Sequence, residues 1–338
     1  MSWGEFGIMK NMRKKMAIWG VVLILALAAG FFCLYRPPVA KNIAWGVVFS
    51  QKQAEYMDLD WRQAYLALLE DLGAKKIKIA VHWDLLEPKQ GEYNFSDLDW
   101  QLDQAAARGA KVMLAIGMKT PRWPECHIPE WAKDLSKEDQ QAAITKMLAA
   151  IVPRYRDNAA VELWQVENEP LFPFGQCPWI DKEFLKKEAV LVKNLDAHKR
   201  PVVISDSGEG SWWFEVSRIA DVAGITMYRR VYFNEMKIYV DYPIPPAFYY
   251  LKSKLVELIF GKSVVCVELQ AEPWAAGQEY DGGDGDGKTM DIEQFKKNIA
   301  FAKNTGLDEF YLWGSEWWYW MKIRHDRPEF WEEAKSVF

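Results

Sequence analysis

From position 44 onward, short apolar runs alternate with longer stretches whose apolar residues recur every three to four positions. The first kind reads as buried strands and the second as amphipathic helices. Strand-like runs cover 44–49, 76–81, 111–117, 161–166, 202–205, 222–227, 264–269 and 309–312. Helical periodicity covers 61–72, 97–108, 137–156, 182–196, 247–260 and 291–305, with a fainter stretch at 211–219. Ser96-x-x-Asp99 and Ser136-x-x-Asp139 have the spacing of capping boxes. Gly73, Gly109 and Gly306 fall where helices should close. Eight strands alternating with helices predict one α/β domain over residues 44–338, a (β/α)8 TIM barrel.

The pattern before the barrel is different. Residues 16–35 carry no charge, and about twenty apolar residues suffice to cross a bilayer as a helix. Lys10, Arg13, Lys14 and Lys15 precede this run and only Arg36 follows closely, which keeps residues 1–15 cytoplasmic and sends the rest outside. The expectation is a single-pass membrane anchor, a linker over 36–43 begun by Pro37 and Pro38, and an extracytoplasmic domain. A cleavable signal remains the alternative, because Ala26-Leu27-Ala28 fits a small-x-small site.

Composition narrows the partners. Half of the 338 residues are hydrophobic, enough for a sizeable core, and the net charge of −5 argues against nucleic acid. Eighteen tryptophans are a marked excess. Indole packs cores, but it also stacks on the C–H faces of sugar rings, a reading kept for those that follow strand ends. The four histidines show no metal-ligand spacing. The Gly/Asp-rich stretch 281–288 resembles part of a calcium loop with its register broken, and is read as a flexible acidic loop. No metal or cofactor is expected. Cys126 and Cys177 both fall in loops after strands, where a disulfide is possible, whereas Cys266 lies within a strand and reads as core.

Two strand-like runs end in glutamates. Val161-Glu162-Leu163-Trp164-Gln165-Val166 opens into Glu167-Asn168-Glu169-Pro170, and Val264-Val265-Cys266-Val267 is followed by Glu268. A carboxylate at the end of an apolar run is costly to bury unless it is paired or functional. Barrel active sites lie at the carboxyl ends of strands, where both Glu169 and Glu268 fall. A facing pair of carboxyl groups can protonate a glycosidic oxygen and attack the sugar. Glu272 competes with Glu268, since a spacing of four puts both on one side of an extended segment. Counting from Val264 favours Glu268 and leaves Glu272 in a loop that lines the cleft.

The motifs resemble clan A of the glycoside hydrolases, the retaining (β/α)8 glycosidases. Ile77-Lys78-Ile79-Ala80-Val81-His82-Trp83 with Glu87-Pro88 and Gly91-Glu92-Tyr93-Asn94-Phe95 is similar to family 42 β-galactosidases and their relatives, with families 39 and 5 also near in pattern. Thr120-Pro121-Arg122-Trp123-Pro124 and Asp308-Glu309-Phe310-Tyr311-Leu312-Trp313-Gly314 look like the same group. The resemblance implies Glu169 as acid/base, Glu268 as nucleophile, Asn168 on the sugar 2-hydroxyl, Tyr228 on the nucleophile and Trp313 as the subsite floor. His82, Trp83, Trp123, Trp274 and Trp317 are candidate sugar contacts, and Trp179 and Trp212 join them at the cleft rim. Two features depart from the clan: Lys78 stands where an arginine is common, and strand three lacks the histidine of family 5 cellulases. The expected function is retaining hydrolysis of O-glycosidic, β-linked carbohydrate. A decayed barrel that only binds carbohydrate, and a transglycosylase of envelope polysaccharide, are the alternatives.

Overall fold

In the computed structural model the described residues are 34–233, 236–274 and 288–338, with 15, 18–20, 22 and 30. Most of the apolar segment 16–35 and nearly all of the Gly/Asp-rich stretch lie outside them. Among the described residues no helix is long and apolar enough to cross a membrane.

Eight parallel strands close a barrel in chain order. They are β1 (Ala44–Phe49), β2 (Lys76–Ala80), β3 (Lys111–Ile116), β4 (Val161–Val166), β5 (Val202–Asp206), β6 (Val222–Met227), β9 (Ser263–Gln270) and β10 (Glu309–Trp313), with β1 hydrogen-bonded to both β2 and β10. The period-two alternation sorts their side chains. Val47, Phe49, Ile77 and Ile79 point outward into the layer shared with the helices. Val48, Met113, Leu163, Val203, Val265, Val267 and Tyr311 fill the barrel interior. Gly46 makes room for that filling, since a Cβ there would stand 2.6 Å from the Tyr311 ring.

Helix starts obey local chemistry. Asp60, Asp181 and Asp291 accept backbone N–H groups as caps, and Ser136 accepts from Asp139 N at 3.1 Å as the box predicts. The box at Ser96 is corrected: Ser96 is already the first residue of the helix Ser96–Ala107, the N-cap position falls to Phe95, which makes no side-chain cap, and the Asn94 side chain accepts both the Ser96 N–H and its hydroxyl. Gly73, Gly109 and Gly306 have φ of +81°, +65° and +73°, the left-handed turn that stops a helix.

Two additions matter for the site. An antiparallel hairpin, β7 (Arg230–Phe233) and β8 (Ile238–Asp241), is inserted after β6. Cys126 and Cys177 form a disulfide that ties the loop after β3 to the loop after β4.

Candidate active site

The chain bends sharply where β4 ends. Glu167 and Glu169 both have positive φ, +58° and +44°, a conformation that non-glycine residues adopt only when their surroundings impose it. Glu167 supplies the constraint by accepting the Met118 and Lys119 backbone N–H groups at 2.8 and 2.5 Å. Ser205 on β5 holds the next turn, its hydroxyl accepting the Glu169 N–H at 2.8 Å. The bend delivers Asn168 and Glu169 to a cavity of about 430 Å³ at the carboxyl ends of the strands. Concave sites of this size, mostly apolar with a few convergent polar groups, suit small-molecule recognition.

Glu268 reaches the same cavity from β9, two residues before that strand ends rather than at its end. The pairing of β6 with β9 slips by one residue between Ile225 and Thr226, so Thr226 faces Glu268. That irregularity lets Val267 stay in the barrel interior while Glu268 also turns inward. Glu268 Oε1 accepts from Lys78 Nζ at 2.8 Å and Oε2 from the Tyr228 hydroxyl at 3.0 Å. Lys78 is fully buried, and its ammonium also reaches Asn168 Oδ1 at 3.3 Å. The lysine thus does hold the carboxylate, as one point charge on a stem fixed by packing.

Glu169 Oε1 accepts from the Thr226 hydroxyl at 3.0 Å. Its carboxyl is pushed up to about 8, first by burial and then by the negative charges of Glu268 and Glu125. Tyr228 is raised well above its ordinary value by burial and then by the same carboxylates, so it stays a hydroxyl donor.

The other expected contacts divide. Trp313 lies in the cavity wall with the Arg122 guanidinium 3.9 Å above its ring, and Trp123 and Trp274 line the cavity too. Trp274 also meets Tyr228 edge-on at 5.1 Å. His82, Trp83 and Trp317 do not line it. His82 is buried with both ring nitrogens engaged, Nε2 with Ser50 Oγ at 2.9 Å and Nδ1 with Thr120 Oγ1 at 3.1 Å. Trp83 begins a short helix that turns its ring into the core, where its N–H donates to Glu87. Trp317 is packed against Phe330. Trp179 borders a smaller neighbouring pocket and Trp212 is exposed outside both. Following a strand end is therefore a poor guide for tryptophan, because the next helix can carry the ring away from the cavity.

Glu272 also lines the cavity, but Arg122 grips it through both terminal guanidinium nitrogens and reaches Glu316 at 2.7 Å. Four further contributors had no signal in the apolar pattern. Glu125 and Glu209 are both pushed up to about 7, by burial above all, and hairpin residues Tyr232 and Phe233 close one side. Glu125 follows a turn rather than an apolar run, and each hairpin strand is only four residues long, so neither gives a readable period.

Known proteins give the site a context. Residues 53–187 match the family model of glycoside hydrolase family 42, described as beta-galactosidase. The β-galactosidase BgaA of Clostridium cellulovorans is 25% identical over 215 residues, 56% of this chain and 32% of that protein. The mannan endo-1,4-β-mannosidase A of Emericella nidulans is 31% identical over 104 residues, 31% of this chain and 27% of that protein. The chain thus spans about a third or less of the curated relatives it matches. Among solved structures, GH5_18 from Streptomyces cattleya in complex with GlcNAc aligns with TM-score 0.59 at 14% identity, covering 81% of this chain and 70% of that one. Xylanase 10B from Thermotoga maritima aligns with TM-score 0.55 at 15% identity, covering 80% and 83%. The structural likenesses are of the fold. Together with the sequence matches they uphold the resemblance to clan A glycoside hydrolases.

Proposed function

We propose that the chain is a retaining glycoside hydrolase acting on β-linked carbohydrate through Glu169 and Glu268. The observation that carries this reading is the contrast between two buried carboxyl groups in one cavity. Glu169 keeps its proton at neutral pH, partly because of the charge on Glu268. Glu268 receives an ammonium and a hydroxyl donor, one on each oxygen. A buried carboxyl that keeps its proton, beside one held by two donors, supplies an acid and a nucleophile from the same residue type.

In the first step Glu268 bonds to the anomeric carbon, the glycosidic bond breaks, and Glu169 gives its proton to the departing oxygen. In the second, Glu169 takes a proton from water as that water displaces Glu268. Lys78 and Tyr228 fix the attacking carboxylate, and Trp313, Trp123 and Trp274 offer faces for the sugar rings. The β-galactosidase and mannosidase relatives make hexose β-glycosides the first substrates to try. A panel of aryl β-glycosides tests the reading. Turnover that is abolished in Glu268→Gln supports it, and sugar binding without turnover supports a binding module instead.

We further propose that residues 16–35 anchor the enzyme in a membrane with residues 44–338 outside the cytoplasm. The uncharged run and the lysines and arginine before it support that placement.

A further inference from the structure

We propose that Glu125 is a sugar-binding residue that accepts the proton of one substrate hydroxyl, gripping it jointly with the side-chain amide of Asn168. The inference rests on the glycosidase reading and deepens it, since neither step of that mechanism uses Glu125.

Glu125 lines the cavity beside Glu169 and Glu268 and is only 6% exposed. Its Oε2 accepts from Asn168 Nδ2 at 3.1 Å, and among the described residues this is the one hydrogen bond to the carboxyl, which leaves Oε1 facing the cavity. The Asn168 amide cannot be turned round, because its Oδ1 already receives Gln165 Nε2 at 3.0 Å, Ser205 Oγ at 3.2 Å and Lys78 Nζ at 3.3 Å. Nδ2 therefore carries two hydrogens, one for Glu125 and one with no acceptor among the described residues. A free carboxylate oxygen beside a free amide hydrogen fits a hydroxyl group, which donates to the first and accepts from the second.

The loop holds Glu125 firmly in that position. Its φ is +72° and its own carbonyl accepts from Thr120 N at 2.9 Å. The next residue, Cys126, is bonded to Cys177, and Gly175 packs so closely that a Cβ there would stand 2.6 Å from the Glu125 Cβ. Burial above all pushes the carboxyl up to about 7, so it is fully an acceptor above that pH.

The test compares wild type, Glu125→Ala and Glu125→Gln on one cleaved aryl glycoside and on its monodeoxy analogues. Glu125→Ala should lose about 10- to 100-fold in kcat/KM on the parent, the range for one hydrogen bond to a charged group. On the analogue that lacks the gripped hydroxyl it should lose almost nothing relative to wild type. Glu125→Gln, which keeps an acceptor oxygen, should recover part of the loss. An equal loss on the parent and every analogue, or no loss at all, overturns the proposal. Calorimetric binding of the methyl glycoside and its deoxy forms to the same three proteins supplies a second readout. If wild type cleaves no glycoside, the glycosidase reading fails, while the binding differences still decide the role of Glu125.

Discussion

Glu169 holds its proton because burial and two neighbouring carboxylates oppose its charge, and two consequences can be measured. The rate should fall as pH rises through about 8, where the acid is lost. In Glu169→Gln that limb should disappear, with activity falling 100-fold or more on glycosides with poor leaving groups and far less on activated aryl glycosides, an effect of about the size known for general acids. The second consequence concerns stability. The carboxyl titrates near its ordinary 4.5 in the unfolded chain and at about 8 in the folded one, so the folded state binds more protons between them. Its contribution to stability is therefore present in full below pH 4.5 and is lost as pH rises toward 8. Glu169→Gln should melt at a higher temperature than wild type at pH 8 and show little difference near pH 4, by calorimetry. At this scale the sequence disclosed Glu169, Glu268, Asn168 and Tyr228, each at or near the end of an apolar run. It did not disclose Glu125 or Arg122, which sit in a loop whose shape is set by contacts distant in sequence.

Strand boundaries were legible because each buried run is bounded by polar residues, and β1, β4 and β6 match the expected limits residue for residue. The hairpin β7–β8 was not, because its two strands, Arg230–Phe233 and Ile238–Asp241, are only four residues long, too short for a period to stand out. The disulfide between Cys126 and Cys177 remained open in the sequence, since spacing along the chain says nothing about spacing in the fold. It clamps the two loops that carry Arg122, Trp123, Glu125, Phe172 and Phe174 around the cavity. Replacing both cysteines by serine should cost about 2–4 kcal/mol in a urea melt, the usual range for closing a loop of this order. It should also raise KM more than it lowers kcat, because the loops position substrate while Glu169 and Glu268 stay on their strands.

For the whole molecule, the barrel accounts for why the chemistry gathers at one end, where eight parallel strands all release their loops. A chain beginning at Lys41 should keep full activity, since the packed core starts with β1. The full-length protein should stay with membranes through a high-salt wash, and release by salt or a mature N-terminus near Ala29 would refute the anchor. The central claim is covalent catalysis by Glu268. Incubation with an activated 2-deoxy-2-fluoro glycoside of a sugar the enzyme cleaves, followed by peptide mass spectrometry, tests it most directly. The account predicts a stable glycosyl ester on Glu268 in wild type and none in Glu268→Gln. An adduct on Glu272, or steady cleavage that inverts the anomeric configuration without any adduct, would contradict it.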